Sequence, residues 1–326
     1  MKEILTDNCV VKIKKNDRGF NEIKVVSKSE NYFINQDSCQ TKYPLDLIEM
    51  ILDVKGPAYL CDEILREEDT NYVQTHLEIG LLSTINKKDN LRILDFGCGS
   101  GSSTIILNRL FPNAKIIGVE LEEKFVSICN ARKDFYDAKN IEFILSPNQN
   151  VLPDNIGDFD IVILSAVFEH LLPKERKTLF PVIFSHLKTN GILYLDQTPH
   201  RYWPFESHTT GLPLINFLPD KVTHYLTKKF SKRNIQDCSW NDLLRKGIRG
   251  GTVNEINRIL VDNGFDIEII IPFKYNLRSH IDLWYRISSN RRASKLKYTI
   301  YQIIKIFKLI TGYTLIPSIT LSIKRL

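Results

Sequence analysis

The six cysteines, Cys9, Cys39, Cys61, Cys98, Cys129 and Cys238, form no C-x-x-C pair. Their spacing excludes the usual zinc-ribbon and dithiol redox motifs. No apolar run approaches the ~18 residues that a membrane-spanning helix requires. The first residues, MKEILTDNCVV, lack the apolar stretch and small-residue cleavage pattern of a secretion signal. Together these absences predict a cytoplasmic protein with reduced thiols. Acidic residues are missing from Ser289 to Leu326, where Arg291, Arg292, Lys295, Lys297, Lys305, Lys308, Lys324 and Arg325 stand unopposed. Removing those eight charges from the net +6 leaves the rest of the chain slightly acidic, at −2. A body of that sign excludes DNA and disfavours RNA as a partner for its whole surface. The remainder is ordinary for a globular protein: 326 residues, 43% apolar and 25% charged.

One stretch stands apart. Residues 91–104 read LRILDFGCGSGSST. Leu91-Arg92-Ile93-Leu94 predicts a buried strand, closed by Asp95. A turn dense in glycine follows, with Gly97, Gly99 and Gly101. Ser102, Ser103 and Thr104 then open a helix whose apolar positions are Ile105, Ile106, Leu107 and Leu110. Strand, glycine turn and helix make the first βα unit of a doubly wound sheet, with the ligand outside the strand's C-terminal end. The nicotinamide fingerprint G-x-G-x-x-G needs glycine at position 102, and Ser102 stands there instead. A second strand over 115–119 ends in Glu120, an acid able to accept hydrogen bonds from both hydroxyls of a ribose.

The D-x-G-x-G-x-G pattern of Asp95, Gly97, Gly99 and Gly101, followed by Glu120, resembles motif I of the class I S-adenosyl-L-methionine (SAM) methyltransferases. The resemblance implies an α/β fold: a doubly wound, seven-stranded, mostly parallel sheet of the Rossmann-like methyltransferase type. A β-rich N-terminal extension and a C-terminal insertion are added to it. SAM is the implied cofactor, held by Asp95, Gly97, Gly99, Gly101, Glu120, Leu121, Asn148 and Ser165. Many members of the family carry an acid at the position of Asn148, where it meets the adenine amino group. Asparagine can accept that bond through its carbonyl. The fourth strand, 161–165, runs into SAVFEH and not into the N/D-P-P-Y/F type used for planar nitrogens. RNA or protein methylation is thereby disfavoured and stays an alternative, as does a membrane-docked protein with a non-catalytic cofactor fold.

Periodicity divides the chain into four parts. Residues 1–40 are β-rich, with strands predicted near 9–14, 21–26 and 31–35. Residues 41–90 form a helical cap: one helix runs from Pro44 to Gly56, and another carries Val73, Leu77, Leu81 and Ile85 on one face. The acidic run Glu67-Glu68-Asp69 predicts a solvated face or a helix cap. Residues 91–272 hold the methyltransferase core, with a fifth strand over 192–196 and a sixth over 265–271. Residues 273–326 hold a basic amphipathic insertion and a final strand over 319–324, antiparallel to the sixth.

Residues 197–220 leave the fifth strand in a run of prolines, aromatics and hydrogen-bonding side chains. Such a loop belongs over the active-site mouth. His170, His200, His208 and Glu206 are the candidate acid–base residues. The segment is similar to methyltransferases encoded among bacterial surface-glycan genes. That similarity implies a small-molecule or glycan acceptor, a sugar hydroxyl, and a role in polysaccharide biosynthesis. His200, Glu206 and His208 have metal-ligand chemistry, but their spacing on a proline-rich loop is a weak signal and no metal is expected. The basic groups over 228–251 predict a solvated surface. Leu296, Ile300, Ile303, Phe307 and Ile310 share one helical face, with Lys297, Lys305 and Lys308 on another. Three occupants of that apolar face are open: its own domain, a second copy in a homodimer, or an anionic membrane touched through 293–311.

Overall fold

The computed structural model describes all residues except 31, 69–70, 86–89, 149–150, 234 and 290–293. Four N-terminal strands, β1 (Lys2–Leu5), β2 (Cys9–Lys15), β3 (Asn21–Ser27) and β4 (Ser38–Thr41), form an antiparallel sheet in sequence order. Alternation gives the sheet one buried face, bearing Val11, Ile13, Ile23 and Val25. These pack with Leu47, Ile48 and Ile51 of helix Leu45–Lys55 and with Ile128 of helix Glu123–Phe135. The strand expected over 31–35 does not form among the described residues; position 31 lies outside them. Tyr32 and Ile34 pack on the same core without pairing, and β4 takes the sheet position by setting Cys39 opposite Ile23.

The main sheet contains β5 (Arg92–Phe96), β6 (Lys115–Glu120), β7 (Ile141–Leu145), β8 (Phe159–Ser165) and β9 (Leu187–Pro199). A two-stranded hairpin, β10 (Phe205–Glu206) and β11 (Leu212–Pro213), is separate. The last strands are β12 (Ile267–Ile270) and β13 (Ser318–Arg325). The sheet order is β12-β13-β9-β8-β5-β6-β7, and only β13 runs antiparallel to its neighbours. This is the expected doubly wound sheet. Its central strands are continuous apolar runs because both faces are covered. Ile93 packs with Ile105 and Ile106 of helix Ser102–Leu110. The next residue, Leu94, packs on the opposite face with Phe180 and Phe184 of helix Pro173–Ser185. Strand β9 is longer than the predicted 192–196, because β13 pairs along it as far as Pro199 and Ser318.

In the cap, Val73, Leu77, Leu81 and Ile85 are all buried, as their spacing predicts. The helix itself changes type: Tyr72–Thr75 is α-helical and His76–Leu81 is a π-helix. A Cβ on Gly80 would lie 1.9 Å from the Tyr194 hydroxyl, so only glycine fits there. That hydroxyl donates to the His76 carbonyl at 3.1 Å and seats the cap on β9.

The C-terminal insertion packs differently from its predicted face. In helix Lys295–Thr311 only Ile304 is fully buried, beside Ile281, Trp284 and Ile316. Leu296, Ile303, Phe307 and Ile310 are exposed. The packed seam runs through Ile300, Tyr301 and Ile304, because the Tyr301 hydroxyl donates to Asp282 at 2.6 Å and fixes the rotation. Position 293, the first of the predicted membrane contact, lies outside the described residues, as do Arg291 and Arg292.

The acidic run divides: Glu68 is exposed as expected, but Glu67 is not. Glu67 is 1% exposed, and Asp69 lies outside the described residues. Arg132, fully buried, approaches Glu67 Oε2 at 3.4 Å. Its guanidinium also donates to Glu63 Oε1 at 3.2 Å, to the Glu63 carbonyl at 2.8 Å and to the Ser100 carbonyl at 2.9 Å. Burial pushes the Glu63 carboxyl up, but Arg132, Arg66 and Lys55 hold it at about 2. Glu67 goes the other way, raised by burial that Arg132 only partly offsets.

Removing one partner of a buried pair leaves an uncompensated charge, typically about 3–5 kcal/mol. Arg132→Ala is expected to lose stability on that scale in equilibrium urea unfolding; a loss under about 1 kcal/mol would refute the pairing. Glu63 is held below its ordinary 4.5, so its contribution is complete above that pH and is lost as pH falls toward about 2.

Candidate active site

The glycine turn folds back over the end of β6. The Gly97 and Cys98 amides donate to the Val119 carbonyl at 2.8 and 3.2 Å. Gly97 has φ +71°, and a Cβ there would lie 2.7 Å from Val167 Cγ2. Gly99, at φ +55°, has no heavy atom within 4 Å of where a Cβ would sit. This open cradle lets a ligand approach the backbone closely. Gly101 caps helix Ser102–Leu110 from the left-handed region.

Asp95 is 1% exposed and accepts the hydroxyls of Ser103 and Thr104, each at 2.7 Å. Burial pushes its carboxyl up against those bonds. Its observed contacts tie strand to helix and so shape the turn. Glu120 stands at the open side. Its Oε2 accepts the Gly99 amide at 2.8 Å, and its Oε1 accepts the Leu121 amide at 2.7 Å. The Leu121 side chain is exposed beside it. A carboxylate next to an open glycine cradle and an exposed apolar side chain fits a nucleoside: ribose hydroxyls to the acid, base to the leucine. Asn148 is exposed farther along the rim, where its backbone bridges to Val151. Its neighbours 149 and 150 lie outside the described residues.

The next two strand ends carry strain. Ala166 follows β8 with φ +54°, and Gln197 lies in β9 with φ +60°. Non-glycine residues adopt this region at a cost and gather at functional sites. Ser165 Oγ accepts from Gln197 Nε2 at 3.2 Å, and the Ala166 amide donates to the Asp196 carbonyl at 2.9 Å. Asp196 is fully buried in register with Ser165. Its carboxylate meets His76 Nδ1 at 3.1 Å and accepts the Thr320 hydroxyl at 2.7 Å. Burial opposes ionisation, yet His76 and Thr320 hold Asp196 below the usual carboxylate range. An ionised Asp196 makes Nδ1 the protonated nitrogen of His76 and leaves the lone pair on Nε2. The His76 side chain is 18% exposed.

The predicted catalytic residues divide. His200 is buried; its Nδ1 accepts the Tyr202 amide at 3.1 Å, and burial lowers its pKa to about 4. Glu206 is also buried, and it staples a turn. Oε1 accepts the Thr209 amide at 2.8 Å, and Oε2 accepts the Thr210 hydroxyl at 2.6 Å. The recess lined by His200, Trp203, Glu206 and Arg249 encloses about 10 Å³, roughly one water and not a sugar. His200 and Glu206 therefore stand as parts of the loop's scaffold. His208 does not join them in a triad; it lies with Glu169 and His170, a ligand-type atom of each within 4.8 Å of the others. Burial pushes Glu169 up to about 7.

His76 and Asp196 were not among the residues singled out by motif. Their partnership is hidden by a separation of 120 positions. The readable signs were an acid ending the fifth strand and a histidine beside the core-facing Leu77.

Residues 87–242 match the family model described as Methyltransferase domain. The malonyl-(acyl-carrier protein) O-methyltransferase of Bacillus anthracis is 30% identical over 125 residues, 37% of this chain and 44% of that protein. The demethylmenaquinone methyltransferase of Lactococcus lactis is 30% identical over 151 residues, 46% of this chain and 56% of that protein. The chain spans about half the length of these curated relatives. Among solved structures, the plantazolicin methyltransferase BamL in complex with SAH overlays with a TM-score of 0.44 at 14% identity. That overlay covers 86% of this chain and 95% of that one. The sheet order and the matched segment give a Rossmann-like methyltransferase fold with an added N-terminal sheet.

Calorimetric titration with S-adenosylhomocysteine, beside NADH, checks the cradle. Glu120→Ala is expected to weaken binding tenfold or more, about 1.4 kcal/mol. Equal affinity in variant and parent would remove Glu120 from the site.

Proposed function

We propose that the chain is a SAM-dependent methyltransferase that methylates a hydroxyl of a small-molecule or glycan acceptor. The observation that carries the hydroxyl is the Asp196–His76 pair at the C-terminal rim of the sheet. SAM supplies an electrophilic methyl group on a sulfonium. Glu120 accepts the ribose hydroxyls, Leu121 covers the adenine and Asn148 accepts its amino group. The Gly97–Gly101 turn admits the cofactor, and Ser165 borders it. Asp196 holds the His76 tautomer, and Nε2 removes the acceptor's hydroxyl proton as the oxygen attacks. An amine acceptor in its neutral form needs no such strong base.

A sugar is supported by the rings of Tyr202 and Phe217, both exposed and stacked at 6.4 Å on the loop after β9. Flat rings cover the apolar C–H face of a sugar. The reading also places the enzyme at an anionic membrane surface. No described helix is long and apolar enough to cross one. Helix Lys295–Thr311 instead exposes Leu296, Ile303, Ile306, Leu309 and Ile310, the last two at 86% and 77%. Lysines 295, 297, 305 and 308 share the helix, with no acid from Ser289 onward. Apolar burial plus lysine contact with anionic headgroups is the chemistry of an interfacial helix.

Two measurements test this. SAH release is followed over a panel of hydroxylated glycans with wild type and His76→Gln. The variant is expected to lose at least about 10²-fold in kcat, and the high-pH rise in rate, while SAH affinity changes less than twofold. An unchanged kcat would sink the base assignment. In flotation, wild type is expected to rise with anionic vesicles and Leu309→Glu/Ile310→Glu to stay behind. Failure of the wild type to float, with a concentration-dependent dimer mass, would assign the helix to a second copy.

A further inference from the structure

Glu169, His170 and His208 come from two separated segments, the turn after β8 and the loop after β9. The pair Glu169–His170 sits in a single 3-10 turn, Phe168–His170. Arg233 donates to the carbonyls of Ser207 and His208 and braces the second segment, and the His170 and His208 rings lie 5.4 Å apart. Gly247, at φ +85°, closes the wall behind them. A Cβ there would lie 2.9 Å from His208 Cδ2 and 3.0 Å from Glu169 Cγ.

Each polar group is oriented from behind. His170 Nδ1 meets the Arg245 carbonyl at 2.6 Å, so Nδ1 carries the proton and the lone pair is on Nε2. Glu169 Oε2 accepts the Thr198 hydroxyl at 3.0 Å. That leaves Oε1 of a residue that is 1% exposed, buried and without a hydrogen-bond partner among the described residues. It lies 3.8 Å from His170 Nε2. The nearest guanidinium groups are already engaged: Arg245 Nη1 with Glu175 at 2.6 Å, and Arg176 with Glu255 at 3.1 Å. A buried carboxylate oxygen with no donor is costly and rare.

We infer that Glu169, His170 and His208 form a binding site for a divalent transition metal of the zinc class. Two neutral imidazoles and one carboxylate are a familiar three-ligand set for zinc, with the fourth position open to water or an oxygen ligand. Ligand atoms around zinc stand at about 2.0–2.2 Å from the ion. Side-chain rotation closes the observed spacing to that geometry. A metal-bound histidine ordinarily donates its other N–H to a carbonyl or carboxylate, as His170 does to Arg245. The exposed ring of His208 provides the path of entry. The site replaces the expectation of no metal. It draws on His208, one member of the loop triad considered from sequence, and recruits its partners from the fourth strand's end.

The test uses the full chain, stripped with chelator, dialysed against zinc and assayed for bound metal per chain by elemental analysis. Cobalt(II) absorption is recorded in parallel. Wild type and Cys238→Ser, which removes the most accessible thiol, are expected to retain one zinc. His208→Ala and Glu169→Gln are expected to bind at least tenfold more weakly and to lose the cobalt d–d bands. His208 is exposed, so its variant folds even where Glu169→Gln does not, and circular dichroism verifies this. No zinc on the wild type, or equal zinc on wild type and His208→Ala, would overturn the site. The readout is independent of methyl transfer.

Discussion

One buried guanidinium ties the helical cap to the core of this molecule. Arg132 arises from the helix after β6 and reaches Glu63 in the cap and the Ser100 carbonyl in the glycine turn. Its Nη1 also donates to Ser100 Oγ at 2.8 Å and contacts Ser102. The ring of Tyr43, at the start of the cap, lies 5.8 Å beneath it. Such a cluster contributes little net stability over an apolar core, since desolvation consumes most of the Coulomb gain. Its consequence is geometric. The turn that forms the cradle is held by a charge network anchored outside the doubly wound sheet.

The sheet then decides what faces the cradle. Alternation along parallel strands sends Ile93 and Tyr194 into one apolar cluster. Two residues on, Asp95 and Asp196 emerge at the C-terminal ends of that same face. The two acids have opposite fates because their partners differ. Asp95 meets two hydroxyls, and burial wins; Asp196 meets an imidazole, and ionisation wins. The first shapes backbone, and the second orients a histidine. The strained Ala166 follows β8, and the strained Gln197 lies in β9 next to Asp196.

Local chemistry was legible in the sequence and long-range pairing was not. The strand–glycine–helix unit is contiguous, and its parts constrain one another within fourteen residues, so the cradle and Glu120 could be read directly. Glu206 looked like an acid base because a short polar loop shows no sign of which carboxylates are consumed internally. Only the fold shows it stapling Thr209 and Thr210. Glu67 looked solvated because its partner, Arg132, is 65 positions away in sequence. In the C-terminal helix the apolar stripe was legible but its occupant was not: the packed seam runs through Ile300, Tyr301 and Ile304, and Leu296, Ile303, Phe307 and Ile310 stay outside.

Three histidines make the same point in sharper form. An imidazole has two nitrogens, and the partner of one dictates what the other can do. His200 accepts a backbone amide on Nδ1, so its ring is committed to the loop. His170 faces a carbonyl with Nδ1, so Nε2 offers a lone pair toward Glu169 and His208. His76 faces an ionised carboxylate, which fixes the same tautomer and adds negative charge behind it. The partner of Nδ1 thus distinguishes residues that sequence alone treats as alike. His76 comes from the cap and meets Asp196 from outside the sheet, so this contact joins the cap to the end of the fifth strand.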